Sequence, residues 1–235
     1  MFLRASLATL ILSVMTAGAH AAAITDPVGD FIPSFTGLKG PDLDVVFTSG
    51  FLLSDHFAFS ATLNGAVGQT PGSFYVFGVD RGKGTARFGS IAPGVLFDSV
   101  VVVTPNRSSV VRDLIAGTTM TLATSSTTIS GNSLEVDVSS ALLPTQGFDP
   151  GAYTFNLWPR TSTPASGTTP VTGTAQISDF APNDRNLSVA ATSVPEPASW
   201  AILGMAGLGM LGLRRRSNHV GANGLDTAPV TSSKH

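Results

Sequence analysis

Four carboxylates, Asp26, Asp30, Asp42 and Asp44, are the first residues whose types and spacing can do chemistry. Asp42 and Asp44 lie two apart, hence on one face of a strand. A loop returning from Asp26 and Asp30 would bring further oxygens round a hard cation such as calcium, whose ligands are oxygens. The spacing matches no defined calcium loop, and acidic residues at turns and strand starts are also ordinary solvated surface, so both readings stand. A glycosidase acid and base can be drawn from the same four residues, but nothing in the sequence sets two of them across a cleft. A second group is Trp158 and Arg160, within Asn156-Leu-Trp-Pro-Arg160. On a strand whose other side carries Tyr153, Phe155 and Leu157, Trp158 points outward beside Arg160 and can stack on a sugar ring. The competing reading is a Trp covered by the loop that follows.

Other chemistries are poorly supplied. His56 is the one histidine of the body, so a multi-histidine metal site is excluded and a Ser-His-Asp triad would have to be built on it. No Gly-x-Ser-x-Gly elbow accompanies it, and beside Asp55 it reads as a turn residue. A haem iron held by His56 would find only Met120 as a conventional second ligand. With no cysteine, disulfides and thiolate chemistry are excluded. Gly78-Val-Asp-Arg-Gly-Lys-Gly84 has one residue too few for a phosphate loop and no Ser or Thr after its lysine, so it reads as a hairpin turn. The sequence expects no enzyme and requires no cofactor, with calcium the one open metal.

The elements that must position these residues are strands. The chain has 235 residues, 43% hydrophobic and 12% charged, with 25 glycines and 15 prolines, a balance that favours one main domain of strands and turns. Phe57 to Leu63, Leu134 to Val138 and Tyr153 to Leu157 alternate as half-buried strands do. Phe74 to Val79 and Val100 to Val103 are continuous apolar runs, suited to strands covered on both sides. Asn64-Gly65, Pro71-Gly72, Pro93-Gly94, Gly131-Asn132 and Asp149-Pro150-Gly151 punctuate them. Seven to ten short strands of this kind predict an all-β fold. The expected architecture is a two-sheet antiparallel β-sandwich, jelly-roll or Ig-like, over residues 24–190. Ser109 to Ala116 is expected to add a helical turn or two. Thr161 to Thr174 reads as a polar loop, Ile177 to Phe180 as a final strand, and 191–197 as a linker.

The two ends carry a different message. Met1 to Arg4 is positive, Ala5 to Val14 apolar, and Ala19-His20-Ala21 a small-x-small site, so residues 1–23 read as a signal peptide cut by signal peptidase after Ala21 or Ala23. Ala198 to Leu213 is a run of sixteen residues without a charge, about 24 Å as a helix against a hydrocarbon core of about 30 Å. Arg214, Arg215 and Arg216 follow it and Trp200 stands at its other margin. This predicts a short transmembrane helix at 198–213, with its arginines in the cytoplasm and the body beyond the inner membrane. Residues 214–235 read as a basic cluster and a disordered tail. Between residues 22 and 194 there are eight Lys and Arg against thirteen Asp and Glu, a net charge of −5 with no basic stripe, so nucleic acid is not an expected partner.

The order Val194-Pro195-Glu196-Pro197, short glycine-rich apolar run, Arg214-Arg215-Arg216 resembles the PEP-CTERM sorting signal of Gram-negative bacteria that make exopolysaccharide. The resemblance implies recognition by an exosortase, a membrane-embedded cysteine peptidase that removes the helix and passes the protein towards the cell surface or extracellular matrix. Prolines on both sides of Glu196 keep that tripeptide extended, a shape a peptidase can grip. One departure is the polar continuation from Ser217 to His235, where the family's tail ends soon after the basic cluster. Asp26-Pro-Val-Gly-Asp30 followed by Asp42-Leu-Asp44 at the opening of an apolar strand is loosely similar to the start of DOMON-like sandwiches, relatives of the ninth family of carbohydrate-binding modules. That resemblance spans Asp26 to Arg87, implies a sandwich whose class includes binders of sugar and of haem, and carries no ligand residues across. The expectation is a secreted, non-catalytic surface or biofilm-matrix protein that binds exopolysaccharide. The alternative is an extracellular glycan-active hydrolase.

Overall fold

A computed structural model describes residues 23–191. Residues 1–22 of the expected signal peptide, the Val194–Pro197 motif, the apolar run 198–213, the arginine cluster and the tail lie outside the described residues. Those described fall within the first of the chain's two units, Met1–Thr192.

The described chain is all-β, its helical content limited to short 3-10 turns. The strands are β1 (Ala23–Thr25), β2 (Val45–Leu52), β3 (His56–Leu63), β4 (Ser73–Asp80), β5 (Thr85–Ala86), β6 (Leu96–Phe97) and β7 (Ser99–Val103). They continue with β8 (Ser109–Asp113), β9 (Thr118–Thr121), β10 (Thr127–Ser130), β11 (Ser133–Ser139), β12 (Thr154–Thr161), β13 (Leu187–Ser188) and β14 (Ala190–Ala191). One sheet runs β1-β2-β3-β11-β10, with β14 also on β2; the other runs β13-β12-β4-β7-β8-β9; β5 and β6 form a small ribbon of their own. Pairing is antiparallel except for β14, which lies parallel to Phe51 and Leu52 of β2.

Side-chain alternation explains the layering. In β3 the buried set is Phe57, Phe59, Ala61 and Leu63, and in β11 it is Leu134, Val136 and Val138, so the first sheet buries one face and solvates the other. These residues share one apolar cluster with Tyr75, Phe77 and Val79 of β4, Val101 and Val103 of β7, and Phe155 and Leu157 of β12. The two sheets therefore meet face to face. Phe59 is the bridge, its ring 5.6 Å from that of Phe77 and 5.3 Å from that of Phe155. Burial of such a ring contributes about 1.5–3 kcal/mol, and truncating it to alanine costs about 3–5 kcal/mol once the cavity is counted. Gly50, opposite Phe59 in the β2–β3 pairing, leaves room for this contact: a Cβ there would stand 2.5 Å from the Phe155 ring.

The second sheet is buried on its outer face too, as the unbroken apolar runs of β4 and β7 require. Val76, Val100 and Trp158 join Ala92, Val95, Phe97, Ile177 and Phe180 in a second cluster, so the segments around 88–97 and 177–180 lie over this face. Arg81, just past β4, is fully buried between Asp98 (2.6 Å) and Asp113 (3.0 Å) and also donates to the carbonyl of Pro144. It ties the ends of three neighbouring strands to the loop before β12. Removing one partner of a buried pair of this kind costs about 3–5 kcal/mol, because the other charge is left unopposed.

Three local expectations are corrected. Ser109 to Ala116 is strand β8 and a turn, not a helix: Ser109, Val111 and Asp113 are buried in alternation, and Asp113 accepts the N–H groups of Ile115 and Ala116 to close the turn. The Gly82-Lys83-Gly84 segment joins no paired hairpin. β4 pairs with β7 and β12, and Asp80 accepts the N–H groups of Gly82 and Gly84 to lead the chain away into the β5–β6 ribbon. Ile177 to Phe180 makes isolated bridges, Arg160 with Ile177 and Leu157 with Ala181, because Ser178 and Asp179 turn to bond the backbone around Leu43 and Val45. The last strands are β13 and β14 instead.

A methyl group at Gly78 would collide with the Trp158 ring. Gly78→Ala is expected to destabilise the body by about 1–3 kcal/mol, read as a Tm lower by about 2–4 °C per kcal/mol, and to shift the tryptophan emission spectrum. Ala23 pairs with Ser49 in β1, so signal peptide cleavage after Ala21 keeps this strand whole and cleavage after Ala23 removes its first residue. Mass spectrometry of the exported protein is expected to find a mature chain starting at Ala22.

Candidate functional site

Trp158 and Arg160 lie on the outer face of β12, two residues apart and therefore on the same side. The Trp158 ring is no open platform. It is 2% exposed and enclosed by Phe88 and Phe97, each 5.0 Å away, and by Phe180 at 6.2 Å. Gly78 on the adjacent strand leaves the space that the indole fills. Beside it opens a groove of about 490 Å³, within the range of about 300–1,000 Å³ usual for small-molecule sites. Its floor is Phe74 and Val76 of β4, Val100 and Val102 of β7, and Trp158; Phe88, Phe97 and Leu114 form its sides. Three arginines, Arg87, Arg112 and Arg160, line it as well, and no acidic residue does.

The arginines are held by packing rather than by carboxylates. Arg87 lies 5.7 Å from the Phe97 ring centre and Arg160 5.6 Å from that of Phe74, both within cation–π range. Arg160 donates from Nη2 to the carbonyl of Gly173, and burial alone holds its pKa below the ordinary arginine value. Its Nε and the Nε1 of Trp158 are buried donors without a hydrogen-bond partner. Such groups are expensive to leave unmade, at about 1–3 kcal/mol each. Among the described residues, none of these three arginines enters an ion pair. Arg87, Arg112 and the aromatic lid were not legible beforehand, because they come from separate turns and strands that only the fold brings together.

The acidic residues divide differently from the expectation. Asp42 sits in a 3-10 turn, Pro41–Leu43, ahead of β2, so the two-residue spacing to Asp44 does not put both on one strand face. It is fully buried, accepting from the Thr70 N–H (3.0 Å), the Thr70 hydroxyl and the Tyr75 hydroxyl (3.3 Å). Asp44 takes the Gly29 N–H with both oxygens and Asn64 with one, which fastens the 26–30 loop. Asp26 and Asp30 are joined instead by Asp179, and one oxygen of each of the three lies within 4.8 Å of the others. Asp179 accepts the N–H groups of Val45 (2.9 Å) and Phe180 (2.7 Å), and Asp30 accepts from Asn183. Oδ2 of Asp26 and Oδ1 of Asp30 are buried without a partner. Burial first, then the charges of Asp30 and Asp44, push the Asp26 pKa up to about 7. Burial, with Asp26 and Asp30 adding, raises Asp179 to about 8. Protons or a cation such as calcium can relieve this repulsion.

His56 opens β3 with Nδ1 2.8 Å from Asp55 and Nε2 3.8 Å from Asp137, an exposed arrangement at a strand start. No helix among the described residues is long and apolar enough to cross a membrane.

Comparison with protein-family models finds the PEP-CTERM protein-sorting motif at residues 193–216. The chain carries a PEP-CTERM sorting signal. The matched stretch contains Val194, Pro195, Glu196, Pro197 and the triplet Arg214 to Arg216. It marks an exported exosortase substrate made as a membrane-anchored precursor. A search of curated proteins finds no match.

Asp26 and Asp179 bind a proton more tightly folded than unfolded, since both pKa values stand above the usual carboxylate value near ~4. Their stabilising contribution is full below about pH 4 and is lost as pH rises through about 7 and about 8. In the presence of a chelator, the Tm of the wild type is therefore expected to fall between pH 5 and 9 more steeply than that of Asp26→Asn. A calcium-dependent rise in Tm at high pH, absent from the variant, is the outcome that a cation at this cluster requires.

Proposed function

We propose that this is a non-catalytic surface or extracellular-matrix protein whose exported β-sandwich binds exopolysaccharide through the groove at Trp158 and Arg160. The observation that carries the reading is the groove itself: an apolar floor suited to the apolar face of a pyranose ring, lined by three arginines that, among the described residues, no carboxylate pairs with. Trp158 supports the site from beneath, as wall and floor, and Arg87, Arg112 and Arg160 supply the polar contacts. The acidic cluster favours no glycosidase. Paired glycosidase carboxylates stand about 5–9.5 Å apart across an open cleft, whereas Asp26, Asp30 and Asp179 bring oxygens within 4.8 Å of one another, two of those side chains having a buried, unpartnered oxygen.

The sorting signal supplies the route. Signal peptidase removes the leader at the inner membrane, the apolar run 198–213 holds the precursor there with Arg214 to Arg216 on the cytoplasmic side, and the exosortase acts at Pro195-Glu196-Pro197. The periplasmic body is then released to the cell surface or matrix. Replacing Glu196 with Ala is expected to leave the precursor mass in the membrane fraction, with the Tm of the body unchanged. Equal mature mass and location in variant and wild type would refute the role given to this motif. For the groove, the mature protein is expected to be retained by a column of the host's own exopolysaccharide, and passage straight through would leave the body without its proposed ligand.

A further inference from the structure

The distribution of charge identifies the kind of sugar. The body between residues 22 and 194 has a net charge of −5 and contains six arginines. Arg81 is committed to Asp98 and Asp113. Three of the remaining five converge on one groove with no acidic residue in its lining. A neutral sugar needs no such concentration of charge: hydroxyl groups are satisfied by Asn, Asp, Gln and backbone groups, and three like charges gathered on one groove would be left without a counter-charge. A carboxylate answers all of it, because its two oxygens match the planar fork of a guanidinium and form charge-assisted bonds roughly twice as strong as neutral ones. The buried, unpartnered Nε of Arg160 marks a donor for which the described residues provide no acceptor.

Resting on the reading of the groove as a polysaccharide site, we propose that it selects an acidic sugar: a uronic-acid unit within an anionic exopolysaccharide, its carboxylate held between Arg112 and Arg160 and its ring on the apolar floor. Arg87 at the lid adds long-range attraction. A uronate chain carries one charge per sugar, which the acidic remainder of the body tolerates better than the denser charge of a nucleic acid backbone. The groove volume of about 490 Å³ admits a short stretch of chain rather than a broad surface contact.

The test uses the mature exported protein and two forms of one polymer, polygalacturonate and its methyl ester, which differ only in the carboxylate, with a chelator present to remove calcium bridging. Retention on polygalacturonate that is weaker by about tenfold or more on the ester, and that weakens with salt, is the expected result. Arg112 is exposed on its strand and outside both apolar clusters, so Arg112→Ala should fold with an unchanged Tm and lose about tenfold in binding, with Arg112→Lys intermediate. Equal binding to both polymers would overturn the acidic assignment and leave the polysaccharide reading standing. Binding to neither, where the host's own exopolysaccharide is still retained, would also overturn it; loss of all three would remove the polysaccharide reading itself. Tighter binding to single-stranded DNA than to polygalacturonate would assign the groove to phosphate instead. Should Arg112→Ala lose stability along with binding, Arg87→Ala provides the second variant, and full binding by both would overturn the role of the arginines.

Discussion

The pairing of β4 with β12 is the constraint on which the rest depends. It runs unbroken from Thr154 opposite Asp80 to Thr161 opposite Ser73. Alternation along these two strands sends Tyr75, Phe77, Val79, Phe155 and Leu157 into the core between the sheets. The same alternation sends Phe74, Val76, Trp158 and Arg160 to the outer groove. A slip of β12 by one residue would exchange its two faces, placing Arg160 in the core and Phe155 and Leu157 in the groove, so core and site are specified by one register. Gly78 pins it from outside, since the Trp158 ring fits only over a residue without a side chain. Asn156, opposite Gly78, reinforces it by donating to the carbonyls of Pro182 and Arg185, which holds the chain that returns over this face.

The acidity of the body has an architectural origin. Asp42, Asp44, Asp80, Asp98, Asp113, Asp179 and Asp184 each accept at least one backbone N–H. Loops joining so many short strands leave donors unpaired, and a short carboxylate side chain satisfies them locally or across the fold. These aspartates are thereby fixed in turns and strand ends, and none of them lines the groove on the outer face of β4, β7, β8 and β12. The groove arginines are left unopposed for that reason, so an overall negative charge and a positive pocket are compatible in one small body. Asp26 and Asp30 stand apart from this rule, each having a buried oxygen with no protein donor.

What could be read from the residues alone follows from how local each signal is. The alternating patterns of β3 and β11 and the continuous apolar runs of β4 and β7 identified strands and their degree of covering, because strand period is written in consecutive residues. The sorting motif was legible for the same reason: its parts are contiguous. Trp158 and Arg160 were found as a pair, but not their enclosure, since Phe88, Phe97 and Phe180 arrive from three other segments. Asp179 escaped notice because it lies in an apolar stretch and meets Asp26 and Asp30 only through the crossing of the chain over β2. At Ser109 to Ala116, expected to add a helical turn or two, the β-branched pair Val110 and Val111 and the Asp113 turn decide for a strand.

A temporary membrane handle and a charged groove answer complementary needs. The apolar run 198–213, read as a helix, spans about 24 Å against about 30 Å of hydrocarbon, too short and too glycine-rich for a firm permanent anchor. If an exosortase removes it, all of its membrane affinity goes with it, and the mature body has to be retained by its own surface. Its net negative charge would repel it from an acidic matrix at long range, an effect confined at physiological salt to about one Debye length, near 8 Å. Within that distance the sign at the groove is reversed by three arginines on an apolar floor. Binding to an anionic polymer would then be weak at each site yet directional, and a polymer with many repeats would hold many copies of the protein, so that avidity rather than single-site affinity sets retention.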